Sequence, residues 1–168
     1  PVKPVVPAPR VRQPRQEIYG VTLVQPRAWA VLWGARRGDV VLDKTVGQVH
    51  LLRMTWSPAR TGPCWIALHA GPDYDETAAL AWPEAPGPSR AHRNAIVAVA
   101  RYMGDRDGVW SLANLVPIVP VPCVGGGESV LWSLDAGTLS LVRAAVRSAQ
   151  KSPVTSPLQE APRDWSEQ

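Results

Sequence analysis

Apolar and polar positions divide the chain into short segments of alternating type. From Glu17 to Val24 the run is rich in β-branched and apolar residues, with Val21 and Leu23 on one side, and reads as a half-buried strand. Pro26 then opens a helix to Trp33, since proline at a first helical position gives up an N–H that has no intrahelical partner. The helix is apolar nearly all round, so it is expected to be covered on both sides, and Gly34 offers a left-handed C-cap. Gly38-Asp39 suggests a turn before a strand from Val40 to Leu42, and weak alternation over Val46–Trp56 suggests another. Pro63–Ala70 is apolar enough for a strand buried on both faces.

Asp73–Trp82 reads as a short helix with Asp73 as N-cap, followed by a proline-rich loop through Pro83, Pro86 and Pro88. Asn94–Tyr102 alternates Ile, Val and Ala, which suits a helix by propensity and a strand by β-branched content. Gly104–Gly108 is expected to turn, and Pro117 and Pro120 make Leu115–Val121 an edge or bulged strand. Gly125–Gly127 lacks the Lys-Ser/Thr of a phosphate loop and reads as a tight turn into Ser129–Leu134. Asp135 caps a last helix through Gln150, with Leu139, Val142, Val146 and Ala149 on one face.

Four blocks in this order resemble the ASCH domain, a member of the PUA-like β-barrel superfamily. They are Gln25-Pro26-Arg27-Ala28-Trp29-Ala30 to Gly34, Arg60-Thr61-Gly62-Pro63 with Trp65 to Gly71, Ala95 to Ala100, and Pro120 to Leu134 with Pro122-Cys123 and Leu131-Trp132. The resemblance covers about residues 18 to 146 and decides Asn94–Tyr102 in favour of a strand. It implies an α+β fold: a PUA-like small β-barrel of five to six strands with flanking short helices near 26–33 and 136–149. The domain is expected over 17–150, between a basic proline-rich arm, 1–16, and a polar tail, 151–168, both read as disordered.

Composition alters this picture at one point. All of the net charge of +4 sits in the arm, on Lys3, Arg10, Arg12 and Arg15; the remaining residues carry equal numbers of basic and acidic groups. Such an arm either adds salt-sensitive phosphate contacts or merely keeps a proline-rich segment solvated. No apolar run approaches a membrane span and no secretory h-region is evident, so a cytoplasmic protein without membrane contact is expected. Cys64 and Cys123 are read as buried thiols rather than a disulfide. His50, His69 and His92 have no paired ligand spacing, so neither metal nor cofactor is expected.

The resemblance implies a pocket that takes a base or nucleoside on an aromatic surface while polar groups read its edge. Trp29 and Trp132 are the aromatic candidates, and Gln25, Asp43, Lys44, Arg60 and His69 the polar ones. The family's G-x-K-x-x-E-x-R run is not cleanly retained. Direct register from Gly34 puts Arg36 on the lysine, Asp39 on the acid and Val41 on the arginine, whereas a two-residue insertion brings Asp43 and Lys44 to the acid–arginine end. Arg36, Arg37, Asp43 and Lys44 are equally readable as solvated charges.

Binding of RNA, another nucleic acid or a modified nucleoside is therefore expected. The alternative is a small hydrolase, either a ribonuclease or an amidohydrolase that deacetylates acetylated cytidine through a lysine, a threonine and a glutamate. For that chemistry Lys44 and Thr45 are the catalytic candidates, with Glu76 and Glu128 only loosely placed for the glutamate, and Arg36 cannot stand in for a deprotonated lysine. A protein-interaction module with a vestigial pocket is the third reading.

Overall fold

In a computed structural model, residues 17–34, 40–43, 49–54, 56–58, 62–127 and 131–154 are described. The elements in chain order are β1 (Ile18–Gln25), α1 (Arg27–Trp33), β2 (Val40–Asp43), β3 (Val49–Arg53), β4 (Cys64–Tyr74), α2 (Glu76–Ala79), β5 (Ala95–Arg106), β6 (Val109–Pro122), β7 (Trp132–Ser133) and α3 (Ala136–Lys151). The fold is α+β. Its strands form one mixed sheet in the order β2-β3-β6-β5-β4-β1-β7.

The β1–β4 pair is parallel and the others are antiparallel. β2 and β7, of four and two residues, form the edges and leave five strands between them. These edges do not pair with each other, so among the described residues the sheet is open where a closed barrel was expected.

Two apolar clusters hold the sheet. One gathers Val21, Leu23, Ala28, Trp29, Val31, Leu68, Tyr102 and Trp110 around α1. The other gathers Ala67, Ile96, Val99, Ile118, Val142 and Ala149 around α3, which packs against β6. Alternation along β4 explains the division, since Ala67 belongs to the second cluster and its neighbours Ile66 and Leu68 to the first. Asp135 caps α3 as expected, its carboxylate accepting from the Thr138 N–H at 2.9 Å.

Several local expectations change. β4 continues through Gly71-Pro72 to Tyr74, which pairs with Gln25, so α2 starts only at Glu76 and its cap is Asp75, not Asp73. β5 runs to Arg106, and only Asp107 and Gly108, with φ of 52° and 76°, form the turn. Two positive φ values in an Asp-Gly pair are the signature of a two-residue hairpin turn whose twist matches the flanking strands. Gly34 is extended (φ −70°, ψ 151°), not left-handed. Its missing Cβ matters for space instead, because one placed there would lie 2.8 Å from the Ala30 Cα.

The prolines of β6 produce the bulge that their positions predict. Ala98 pairs with Pro117 and Ile96 with Val121, so Val97 alone faces the three residues Ile118, Val119 and Pro120. The extra backbone bows out of the ladder, and a hollow opens beneath it.

Candidate functional site

The hollow is a cavity of about 280 Å³. One wall is β1 and α1, which contribute Gln25, Trp29, Leu32 and Trp33; the bulge and Val97 form the opposite wall. The loop before β5 supplies Pro86, Ala91 and His92, and Val154, just past α3, completes the lining. That loop is anchored twice: the Tyr74 hydroxyl donates to the Pro86 carbonyl at 3.0 Å, and Gln25 holds the His92 carbonyl.

Gln25 is the organising polar residue. It is 3% exposed. Its Nε2 donates to the His92 carbonyl at 2.7 Å, and its Oε1 accepts from the Trp29 backbone N–H at 3.1 Å. The second bond satisfies one of the N–H groups that the start of any helix leaves without an intrahelical partner. Together the two bonds fix which way the amide points. Reversal would set an NH2 against an N–H and an oxygen against a carbonyl.

Trp29 is 6% exposed, and its indole Nε1 is buried without a hydrogen-bond partner. An unpaired buried donor costs about 1–3 kcal/mol. No Ser, Thr, Cys, Lys, Arg, Asp or Glu is among the described lining residues, and His92, an exposed residue, is the one ionisable side chain among them.

His69 and Trp132 are brought together elsewhere, with a partner that sequence reading did not single out, Thr22. His69 is 1% exposed, and its Nε2 lies 2.6 Å from the Cys123 carbonyl, which can only accept, so Nε2 carries the ring proton. Its Nδ1 meets the Thr22 hydroxyl at 3.1 Å. That hydroxyl also accepts from Trp132 Nε1 at 3.2 Å and lies 3.2 Å from the Gly126 carbonyl. The His69 and Trp132 rings meet edge-on, 5.5 Å between centroids.

The glycine run closes over this network. A Cβ on Gly125 would stand 2.6 Å from the His69 ring, so glycine is needed there for close approach. Each ring nitrogen of His69 faces a protein partner, so the imidazole is held in one tautomer and one orientation. Thr22 left no local signal; it lies 47 residues from His69 and 110 from Trp132.

Burial lowers the His69 pKa below its usual 6.5, against the opposing pull of the Cys123 carbonyl bond. The unfolded chain therefore binds more protons between the two values, and stability rises with pH across that interval. His69's contribution is whole above 6.5, falls as pH drops through 6.5 toward the folded value, and levels off below it. Urea midpoints are expected to drop between pH 7.5 and 5.5 in the wild type and to drop less in His69→Gln. Equal drops in both proteins would remove His69 as the cause.

Of the remaining candidates, Asp43 ends β2 at the sheet edge. Lys44, Thr45, Arg60 and the arm residues Lys3, Arg10, Arg12 and Arg15 lie outside the described residues. Cys64 and Cys123 form no disulfide, as expected, and are half-buried where buried thiols were expected. Among the described residues no three His, Cys, Asp or Glu side chains cluster as metal ligands, and no helix is long and apolar enough to cross a membrane. No protein-family profile matches the chain, and no curated protein matches it either.

Proposed function

We propose that this chain is a binding module of the ASCH type, taking a base or nucleoside, alone or within a nucleic acid, into the cavity beneath the β6 bulge. The cavity itself carries the reading. It is apolar, and at about 280 Å³ it lies near the small end of ligand sites, which span about 300 to 1,000 Å³. Its polar groups are few and fixed, as recognition of a single flat ring requires. The described lining residues include no hydroxyl, thiol, carboxylate or lysine that could work with His92, which favours binding over hydrolysis.

Calorimetric titration with free bases and nucleosides tests the reading, with Val119→Trp as the blocked control. Val119 is 64% exposed and lines the cavity from the bulge, so a larger side chain there crowds the mouth without entering the core. Binding by the wild type, weakened about tenfold or more in the variant, is expected; tenfold corresponds to about 1.4 kcal/mol. Equal affinities would place the ligand elsewhere. Product appearing during the titration would favour the hydrolase.

A further inference from the structure

We propose that the cavity selects an uncharged ring presenting an amide-type edge, a hydrogen-bond donor beside an acceptor, and that Gln25 and Trp29 read that edge. The proposal rests on the cavity being the binding site. Gln25 spends one N–H on the His92 carbonyl and one lone pair on the Trp29 N–H, which leaves it one of each. Both remaining groups belong to a side chain that lines the cavity and whose orientation is locked.

Trp29 adds a donor that nothing in the described structure occupies. That N–H is occluded as well as unpaired, so an acceptor reaches it only when the indole shifts, and binding must disturb the Trp29 ring. A charged ring is disfavoured, because the described lining holds no carboxylate, lysine or arginine, its one ionisable side chain, His92, is exposed, and burying an unpaired charge is costly. A phosphate on the ligand would therefore stay outside the mouth.

Uracil has the required edge. Uracil methylated at both ring nitrogens keeps the carbonyls without the donors, and toluene has neither. Titrating the full chain with each, followed by the Trp29 indole N–H resonance in an ¹⁵N spectrum, tests the proposal. Trp29→Phe assigns that resonance by its loss. Uracil is expected to bind and move the resonance, and the methylated ring to bind about tenfold more weakly. Toluene is expected to leave the resonance in place.

Equal affinity for uracil and toluene would overturn this proposal while leaving the cavity as a binding site. If no probe binds, and Val119→Trp matches the wild type, the site itself fails and this proposal with it. Trp29→Phe is expected to weaken uracil and not toluene; should it not fold, the three-ring series on the wild type still decides. Uridine or oligouridine moving the same resonance supports the proposal, and salt-sensitive preference for the oligomer identifies a base taken from a strand.

Discussion

Trp110→Ala is expected to destabilise the fold by about 3–5 kcal/mol, the largest effect of any single truncation in the described core. Trp110 is fully buried. Its ring meets Trp56 edge-on at 4.9 Å and Tyr102 at 5.0 Å, and its indole N–H donates to the Trp56 carbonyl at 3.2 Å. It lies opposite Leu52 on β3 and Asp105 on β5, where the hairpin joins the rest of the sheet. Truncation leaves a void between paired strands that cannot close up, and an orphaned carbonyl beside it. Against a typical total of about 5–15 kcal/mol, that threatens folding outright.

Urea denaturation gives the size of the loss, and a second signal is available. Burial pushes the Tyr102 hydroxyl up to about 12, with help from its hydrogen bond to Asp105 at 3.0 Å. Water entering the void is expected to bring that value back toward 10 in an ultraviolet titration. A loss below about 1 kcal/mol would mean that the strands collapse onto the void.

Gly20→Ala is expected to cost about 1–3 kcal/mol, the usual range for forcing extra atoms into a packed site. A Cβ on Gly20 would fall 2.2 Å from the Trp132 ring. The backbone cannot retreat, because Gly20 is paired on one side with Ala67 and on the other with Trp132. The ring must leave, and with it go the bond to Thr22 and the edge contact with His69. A red-shifted tryptophan emission should accompany the lower urea midpoint. Gly127→Ala is the control: nothing lies within 4 Å of its would-be Cβ, and its effect should stay within about 0.5 kcal/mol. Matching losses in the two variants would dismiss the steric account.

Legibility from sequence followed the range of the interactions. β1, α1 and α3 rest on local signals, namely a β-branched run, a proline opening and an aspartate cap, and each appears within a residue or two of its expected place. The prolines of β6 announced an edge or a bulge, because a residue without an N–H cannot serve the ladder, and the bulge is what the structure has. That the bulge would face Gln25 and Trp29 could not be read, since strand neighbours are set by tertiary pairing. Gln25 and Trp29 stand four residues apart and share a local bond at the helix start, whereas the partners of Thr22 come from β4, the glycine loop and β7. α2 was misplaced because Gly71-Pro72 looks like the end of the strand, whereas it lies in an irregularity of β4 beyond which pairing with β1 resumes at Tyr74.

The position of β1 has a consequence for the order in which the chain is made. Among the described strands β1 comes first in the chain, yet it sits between β4 and β7, whose pairing residues begin at Trp65 and end at Ser133. A growing chain thus carries β1 with both edges bare until β4 has emerged, and with one edge bare until β7 follows. Both neighbours that β1 needs come later in the chain, β4 from Cys64 and β7 from Trp132. Of the described strands, the one that comes first in the chain is among the last to be enclosed.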